Sequence, residues 1–367
     1  MGVFLVFLLI WATLHFYVVA RLLSVPFIAH HVPTAVLVAV IVLLGTSYIL
    51  SRVLERFSIG GPSHLLEHLG AYWVGFFFLL LTAFFFVDLV SGFGFWLRPQ
   101  VPMLRTWALA AAAIFASIAL VQAHRAPVVT EYEVVMSNLP CSADGTVLVV
   151  ASDMHLGSML GYEWATRRAE QFNALKPDVI LLVGDIFEGD QTTHAVWLPI
   201  LQQIRAPKGV FLVTGNHEFY AGPDKIIPLL RQAGYRVLRD ESAEPIPGLV
   251  ITGVDDIAFR PKAEHAAAVE RVLRERPAGA TIFLSHTPIQ ARPAAESGVN
   301  LMLSGHTHNG QIWPFRFIVR MVFPLITGRY EVDGMTVIVG RGTGTWGPRM
   351  RLWQRSELLK IKLRATS

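Results

Sequence analysis

The sequence predicts an all-α transmembrane domain of four helices followed by a layered α/β domain. The first observation is a break in composition: the chain holds 31 basic and 27 acidic side chains, but only eight of them lie within residues 1–122. The second is a change of pattern after residue 127, where short runs rich in Val, Ile and Leu alternate with amphipathic segments. Such runs are typical of strands buried on both faces of a sheet, and the segments between them are typical of covering helices. We therefore expect a transmembrane domain over 1–122, a connecting segment with a first edge strand over 123–145, and the α/β domain over 146–367.

Four apolar runs, over residues 3–22, 34–51, 70–94 and 104–122, are each long enough to cross a membrane. About 20 residues of helix span the roughly 30 Å of hydrocarbon in a bilayer. The first run lacks a preceding basic segment and a small-residue cleavage site, so we interpret it as a retained span rather than a signal peptide. The alternative, a buried helical domain of a soluble protein, does not fit four such runs in succession.

Positively charged residues at the span ends give a tied count for membrane orientation. Three arginines flank each side of the spans: Arg21, Arg98 and Arg105 on one side, and Arg52, Arg56 and Arg125 on the other. The uncharged start of the sequence and Arg21 just after the first span favour a C-terminal domain outside the cytoplasm. Because the number of spans is even, that domain is expected on the same side as the residues before the first span.

His15 and Asp88 are ionisable residues that lie inside predicted spans. Ionisable side chains within a membrane are rare and frequently functional. Asp88 is also close to the end of its span, where water, a backbone group or an arginine would be an ordinary structural partner. Both interpretations stay open, although the near absence of other charges within the spans disfavours a small transporter.

Net charge and cysteine content exclude other classes of protein and site. The formal net charge is +4 and the basic residues form no run, so nucleic acid is not an expected partner. Cys141 is the sole cysteine, so no intrachain disulfide can form.

Polar side chains follow five of the predicted strands at the point where each strand ends. The runs 146–152, 178–184, 209–215, 280–286 and 300–305 lead into the motifs DMH (153–155), GD (184–185), GNHE (215–218), SH (285–286) and SGHTH (304–308). Because ligands of open α/β sheets bind at the carboxyl ends of strands, these motifs predict a single site. Carboxylate, imidazole and amide donors without a thiolate suit Mn²⁺, Fe or Zn²⁺, and one carboxylate can bridge two ions roughly 3.5–4 Å apart. Glycines before Asp185, Asn216 and His306 let the backbone turn sharply beside the metals.

This ordered series of motifs resembles the calcineurin-like metallophosphoesterase superfamily over about residues 127–363. The resemblance implies a two-sheet α/β sandwich flanked by helices and a centre of two divalent metal ions, with Mn²⁺ favoured and Fe, Zn²⁺ or Ni²⁺ as alternatives. It implies that one metal is held by Asp153, His155 and His308, and the other by Asn216, His286 and His306, with Asp185 bridging them. His217 matches the outer catalytic histidine that stabilises the transition state or protonates the leaving group.

The C-terminal sequence resembles one branch of that superfamily, the membrane-associated bacterial phosphodiesterases. The resemblance rests on SGHTHNGQIWP (304–314), GRGTGTWGPRMRL (340–352) and SELLKIKL (356–363). The stretch GDIFEGD (184–190) departs from the GDxxDRG signature of serine/threonine protein phosphatases. Asn309 stands where this branch usually has glycine, and Asn tolerates a left-handed backbone better than other side chains do.

The resemblance implies a membrane-anchored phosphoesterase that hydrolyses a phosphodiester or pyrophosphate bond by attack of a metal-activated hydroxide. A lipid-linked or envelope substrate and contact with membrane lipid follow from the four spans, and the sequence leaves the oligomeric state open. The alternatives are a membrane receptor or regulatory protein whose domain binds phosphate without turnover, and a phosphomonoesterase. The complete set of motif residues disfavours the inactive receptor.

The segment 312–326 is unusually apolar for one beside an active site, and it also carries Arg316 and Arg320. Aromatic and basic residues together are typical of elements that lie at a bilayer surface. We hypothesise that this segment faces the membrane. The alternative is a loop folded onto its own core.

Three further residues have roles that the sequence leaves open. We expect His265, on a predicted helix, to face solvent. Glu218 either supports His217 or caps a helix. Glu188 either orients Asp185 or belongs to a solvated turn.

Overall fold

The computed structural model describes residues 2–57, 60–189 and 194–366, and the chain divides into two compact units. The first, which we call the helical unit, runs to His124 and includes the later segment Gly347–Trp353. The second, the α/β unit, comprises Arg125–Trp346 and the residues from Gln354 onward.

The described residues of the helical unit form five helices. They are α1 (Gly2–Leu22), α2 (Pro26–His31), α3 (Thr34–Arg56), α4 (Gly60–Val90) and α5 (Val101–His124). All except the short α2 are long and apolar enough to cross a membrane, which confirms the four predicted spans. Helix α4 begins ten residues before the predicted run, because its polar first turns, including His64 and Glu67, continue the same helix.

Asp88 lies on α4 with its side chain buried among cationic partners. Its carboxylate accepts hydrogen bonds from Arg21 Nε at 2.7 Å, Arg105 Nη2 at 2.8 Å and the Tyr17 hydroxyl at 2.7 Å. Arg105 also donates to the Ser24 hydroxyl at 2.8 Å. The arginine partner expected for a structural aspartate is therefore present, and it joins α1, α4 and α5.

His15, the second ionisable residue within the spans, has a partner for each ring nitrogen. Its Nδ1 lies 2.9 Å from the Trp11 carbonyl oxygen, and its Nε2 accepts a hydrogen bond from Trp73 Nε1 at 3.0 Å. A carbonyl oxygen only accepts and an indole N–H only donates, so the proton is on Nδ1. These contacts describe a neutral histidine that joins α1 to α4.

The α/β unit contains two six-stranded mixed sheets. The first has the order β1-β12-β2-β3-β4-β5, formed by Val128–Met136, Glu357–Ala365, Val147–Ala151, Val179–Val183, Val210–Val213 and Arg236–Val237. The second has the order β10-β11-β9-β8-β7-β6, formed by Gly328–Val332, Met335–Val339, Leu301–Ser304, Ala280–Leu284, Leu249–Gly253 and Glu241–Ile246. Four strands of each sheet are parallel to one another. In the first sheet these are β2, β3, β4 and β5, and in the second they are β7, β8, β9 and β11, so the carboxyl ends of the parallel strands lie at one edge of each sheet.

The hydrophobic core lies between the two sheets. Inward side chains of the first sheet, such as Leu181 and Val213, belong to the same buried cluster as Ile251, Ile282 and Leu303 of the second. This packing confirms the predicted two-sheet sandwich. The outer faces are covered by helices, as continuous apolar strands require.

Seven α-helices accompany the sheets in the part of this unit that the structure describes. They are α6 (Tyr162–Ala174), α7 (Leu198–Leu201), α8 (Asn216–Ala221), α9 (Pro223–Gln232), α10 (His265–Arg274), α11 (Ala291–Glu296) and α12 (Arg316–Val322). The sequence predicts three helices in this unit, over 161–176, 192–205 and 263–276, and α6 and α10 match the first and the last of them. The predicted helix over 192–205 is shorter in the described residues, because Pro199 fits only the first turn of a helix and α7 begins just before it.

His265 differs from the prediction. We expected it to face solvent, but it is buried at the start of α10, and its Nε2 lies 2.9 Å from the Arg260 carbonyl oxygen. That bond ties α10 to the turn before it, so the imidazole replaces water as the partner of a backbone group.

Candidate metal centre

The predicted metal-binding residues meet at the edge where the parallel strands of both sheets end. Backbone hydrogen bonds hold the strand-end loops together. Asp153 N donates to the Gly184 carbonyl at 3.0 Å, His155 N donates to the Asp185 carbonyl at 3.1 Å, and Gly305 N donates to the His286 carbonyl at 2.9 Å. The loop after β2 is therefore in direct contact with the loop after β3, and the loop after β9 with the loop after β8.

The first group of donors consists of Asp153, His155 and His308, all buried. His155 Nε2 lies 3.1 Å from His308 Nε2, and that nitrogen lies 3.3 Å from Asp153 Oδ1. One donor atom from each residue falls within 4.8 Å of the others. Two imidazole nitrogens that face each other beside a carboxylate make a compact set of ligands for a cation.

The second group consists of Asp185, His286 and His306, with Asn216 beside them. His286 Nε2 lies 3.1 Å from Asp185 Oδ2, and His306 Nδ1 lies 2.9 Å from Asn216 Oδ1. The other ring nitrogen of His286 lies 2.7 Å from the Val183 carbonyl oxygen. Because a carbonyl oxygen only accepts, the Nδ1 of His286 carries a proton and its Nε2 faces the carboxylate.

Asp185 lies between the two groups. Its Oδ2 is 3.1 Å from His286 Nε2 and 3.8 Å from His155 Nε2, which belong to different groups. Its Oδ1 accepts a hydrogen bond from the His217 backbone N–H at 2.9 Å, which fixes the orientation of the carboxylate. The structure thus brings together all seven residues that the resemblance assigned to metal binding. Their role as ligands remains a prediction.

The backbone at the centre is left-handed at an unusual number of non-glycine residues. Positive φ angles occur at Asp153 (54°), His155 (47°), Asp185 (55°), His306 (69°) and His308 (48°). Asn309, the departure from glycine, also has a φ of 52°. Such residues are uncommon and cluster at functional sites, where the surrounding structure compensates for their cost.

Three glycines leave space for the side chains of Asp185, Asp153 and His286. A Cβ added at Gly215 would lie 2.2 Å from Asp185 Oδ1, and one at Gly305 would lie 2.5 Å from Asp153 Oδ2. A Cβ at Gly184 would lie 2.6 Å from His286 Nδ1. These are the glycines before Asn216, His306 and Asp185, and any side chain there would displace a donor.

The two aspartates are ionised despite their burial. Burial alone would raise the pKa of Asp153, but the charges of His308 and His286 outweigh it and hold the pKa well below its usual range. Burial opposes ionisation of Asp185 in the same way, and the surrounding histidines, His286 first, lower its pKa. The centre therefore holds two negative charges near neutral pH.

The histidines divide into two kinds. Burial lowers the pKa of His286, but Asp185, Asp153 and Asp256 together raise it more, so the pKa lies well above the usual value. Burial likewise opposes protonation of His155, yet Glu188 and Asp185 raise its pKa. For His217 and His306 burial dominates and the pKa is lowered. When no cation is bound, the carboxylates therefore favour the protonated forms of His155 and His286.

These observations fit a pair of divalent cations. The donors are carboxylate oxygens, imidazole nitrogens and one amide oxygen, a set that suits Mn²⁺, Fe or Zn²⁺. Metal ligands must be deprotonated, and a cation would replace the protons that His155 and His286 carry.

Glu188 and Glu218 have roles that the sequence left open. Glu188 Oε2 lies 2.8 Å from His155 Nδ1 and 3.3 Å from His217 Nδ1, so it contacts two imidazoles rather than Asp185. Glu218 is buried and accepts hydrogen bonds from the backbone N–H groups of Asp185 and Gly215, at 2.8 and 2.7 Å. It therefore caps the start of α8 and joins the loop after β3 to the loop after β4.

Asp256 was missed by the sequence analysis. It is fully buried just after β7, at the same edge of the sheet, and its Oδ1 accepts a hydrogen bond from the Thr287 hydroxyl at 2.7 Å. Its charge acts on His286 and His306. The signal was the pair of aspartates that ends GLVITGVDD (248–256), but no histidine stands beside it to mark it.

Comparison with known proteins identifies the family of the α/β unit. A model of the calcineurin-like phosphoesterase family matches residues 146–310. An uncharacterized metallophosphoesterase of Aquifex aeolicus is 32% identical over 243 residues, covering 64% of this chain and 91% of that protein. The chain therefore belongs to the calcineurin-like metallophosphoesterase family, as the motifs predicted.

Other relatives carry the same domain with membrane segments. A transmembrane protein with metallophosphoesterase domain of Bos taurus is 32% identical over 285 residues, covering 73% of this chain and 63% of that protein. The chain spans 63%, 59% and 62% of the first three relatives, which come from both vertebrates and bacteria. Among solved structures, a dimetal phosphatase of Danio rerio has 13% identity and a TM-score of 0.37 over 60% of this chain and 99% of that one. With its four candidate spans, this chain is a multi-pass membrane protein of the family.

Proposed function

We propose that the protein hydrolyses a phosphodiester or pyrophosphate bond at a centre of two divalent metal ions. The observation that carries this proposal is the position of Asp185, whose Oδ2 lies within 4 Å of nitrogens from both donor groups. A single carboxylate between two groups of ligands is what a bridged pair of metals requires. The family membership supports a phosphoester as the substrate.

The chain's own residues would hold the two ions as follows. Asp153, His155 and His308 form one site, Asn216, His286 and His306 form the other, and Asp185 is shared. Bound there, the ions would neutralise phosphoryl oxygens and lower the pKa of a water molecule. We propose two manganese ions as the native metals, with iron, zinc or nickel as the alternatives.

His217 would act on the substrate rather than bind metal. Its Nδ1 lies 3.3 Å from Glu188 Oε2, and a carboxylate only accepts, so the proton on that nitrogen is fixed. The second nitrogen can donate to a phosphoryl or leaving-group oxygen once it is also protonated, that is, in the imidazolium form of His217. Burial lowers the pKa of His217 while Asp185 and Glu188 oppose that effect, so a proton taken up during the reaction is readily given to the departing oxygen.

The four candidate membrane spans support a substrate that lies at the membrane. We propose that residues 1–122 anchor the protein, that 123–145 connect the two parts and add an edge strand, and that 146–367 form the catalytic domain. A lipid-linked or envelope phosphoester is then the nearest substrate. We also propose that the catalytic domain lies outside the cytoplasm.

The side of the membrane can be tested with Cys141, which is exposed and is the sole cysteine. A membrane-impermeant maleimide added to intact cells should label it. A Cys141→Ser variant gives the background. Labelling that appears only after lysis would place the domain in the cytoplasm.

The function is tested by hydrolysis of an aryl phosphodiester by the purified full chain. We expect turnover with added Mn²⁺, loss of turnover with a chelator, and loss in an Asp185→Asn variant. Asp333→Asn is the matched control, because Asp333 is an exposed aspartate in a turn of the same unit. Metal content is measured on the same samples.

The outcomes separate the alternatives. Metal bound without turnover of any diester would favour a binding or regulatory protein, and turnover of monoesters alone would make the protein a phosphomonoesterase. A chain that binds no divalent metal would contradict the proposal.

A further inference from the structure

Helix α12 presents an apolar face that the described part of the chain leaves exposed. None of its residues is buried. Phe317, Ile318, Met321 and Val322 are 59%, 53%, 84% and 66% exposed. These four residues, which we call the α12 patch, lie on one side of the helix because they are spaced at i, i+1, i+4 and i+5. A contiguous exposed apolar group of this kind marks an interaction site.

The charges around the α12 patch are basic. Arg316 and Arg320 lie on the same helix, and the segment 312–326 contains no acidic residue. Trp313 and Phe315, each 38% exposed, extend the apolar surface before the helix. Apolar and aromatic side chains next to arginines match a lipid surface, where anionic headgroups lie above the acyl chains.

The bilayer is the partner that the rest of the chain supplies. Four helices of the same chain are long and apolar enough to span a membrane, so the α/β unit is tethered to helices that enter lipid. We propose that the α12 patch inserts into the headgroup region of the bilayer and holds the α/β unit against the lipid surface.

The α12 patch is fixed to the loop that carries two of the candidate metal ligands. On its N-terminal side Gly310 packs so closely that a Cβ there would lie 2.4 Å from Arg316 Cα. On its C-terminal side the Phe323 ring lies 5.1 Å from the His306 ring. The Thr307 hydroxyl donates to the Ile326 carbonyl oxygen. A patch seated in the headgroups would therefore hold His306 close to the lipid phosphates.

This geometry also narrows the substrate class, and here the inference rests on the proposed function. The phosphoester would be one carried in the headgroup of a membrane lipid, which reaches the centre without leaving the bilayer. Soluble phosphoesters would reach the same centre from water, without help from the α12 patch.

Insertion is tested on the full chain in nanodiscs of phosphatidylcholine and phosphatidylglycerol. In a Cys141→Ser background, a fluorophore is attached to a Met321→Cys variant, and nitroxide-labelled lipids are added as quenchers. A Glu270→Cys variant carries the same label on an exposed position of α10 as a control. We expect at least twofold stronger quenching for the label on helix α12. Equal quenching at both positions would overturn the proposal.

The second measurement links insertion to the substrate. A Phe317→Ser/Met321→Ser variant is compared with the parent on a phospholipid in vesicles and on a soluble aryl phosphodiester. We expect the ratio of vesicle to soluble hydrolysis to fall at least tenfold, and an unchanged ratio would overturn the substrate class. Quenching is independent of turnover, so quenching in a chain that hydrolyses nothing would refute the proposed function and leave insertion standing.

Discussion

Asp88 in the helical unit and Asp185 in the α/β unit are both buried carboxylates, but their partners differ in kind. Asp88 accepts hydrogen bonds from two arginines and a tyrosine hydroxyl. Asp185 faces imidazoles, which gain or lose a proton near neutral pH. Arginine stays charged at every pH a protein experiences, so the first cluster is complete as it stands.

The comparison teaches how to separate a structural acid from a metal-binding one. An acid with permanent cations has its charge balanced by the fold, and a metal would have to displace an arginine. An acid among imidazoles is balanced only by protons, which a cation can replace. Backbone geometry agrees, because Asp185 has a left-handed φ of 55° whereas Asp88 lies within the regular helix α4.

The largest effect is expected from Asp88→Ala. Removing one partner of a buried ion pair costs about 3–5 kcal/mol, because the remaining charge is left uncompensated. Thermal unfolding of the full chain in detergent should show a clear loss of stability. The stability of Asp88→Asn, which retains an oxygen that accepts hydrogen bonds, should lie between that of Asp88→Ala and that of the parent.

Thr106→Ala is the control for that variant, because Thr106 is exposed on the same helix as Arg105 and bonds only to the Pro102 carbonyl in the described structure. Metal content per folded molecule should be unchanged in every one of these variants. A loss of bound metal in Asp88→Ala would show that the two clusters do not have the separate roles described above.

The second effect is expected from Gly215→Ala. The new Cβ would meet Asp185 Oδ1 at 2.2 Å, so the carboxylate must shift. A displacement near 1 Å in a catalytic group costs about 10²-fold in rate. Hydrolysis of the aryl phosphodiester with saturating Mn²⁺ measures it.

Gly161→Ala is the matched control, since a Cβ there would meet nothing closer than 4.0 Å and the φ of Gly161 is −76°. It should retain the parent rate to within about twofold, as expected for a substitution at an open helix terminus. Equal losses in the two variants would mean that the close approach of Gly215 to Asp185 is not what the centre needs.

The motifs made most of the centre predictable, because each predicted ligand stands directly after a strand of the recognisable Val/Ile/Leu type. Glu188 was not assigned because its partners His155 and His217 come from other loops, and sequence separation does not report such distances. Asp256 follows β7 without a histidine to mark it. Contacts between loops depend on how the two sheets pack, which the local pattern does not contain.

The fold was predictable where strands are buried and less so at the edges. The edge strands β6 (ESAEPI) and β10 (GRYEV) carry polar residues and lack the continuous Val/Ile/Leu run that marks the buried strands. Helix α12 was expected as an apolar segment and not as a helix, because its seven residues, RFIVRMV, are too few to establish a helical period in the sequence.

The third effect is expected from Glu188→Gln. The carboxylate contacts both His155 and His217, and loss of such a partner typically costs about 10–100-fold in metal affinity. Titration of the metal-free protein with Mn²⁺ measures the affinity directly. Glu163→Gln, an exposed glutamate on α6, should bind metal like the parent. An unchanged affinity in Glu188→Gln would reduce Glu188 to a surface residue of the loop.

The smallest expected effect, counted per pH unit, is the change of metal affinity with pH. The pKa values of His155 and His286 are raised, so each holds a proton in the metal-free protein at a pH where a free histidine, with a pKa of about 6.5, has lost it. Metal must displace these protons, and the affinity rises by at most about tenfold per pH unit for each proton until the pH exceeds the raised pKa values. Asp153 and Asp185 have lowered pKa values and are ionised throughout this range, so they add no dependence.

The stability of the metal-free fold depends on pH through opposing contributions of the four histidines. Metal affinity is therefore the quantity to measure. The raised pKa values of His155 and His286 stabilise the metal-free fold below about pH 6.5, and this contribution is lost as the pH rises through those values. The lowered pKa values of His217 and His306 act in the opposite sense, because burial penalises their protonated forms.

Because metal displaces protons from His155 and His286, Mn²⁺ titrations between about pH 6 and pH 8 should show a steep rise in affinity. In Glu188→Gln the rise should be shallower, because the proton on His155 is held less tightly. A flat profile in the parent would mean that cations do not replace protons at this centre, and the contrast between Asp88 and Asp185 would lose its chemical basis.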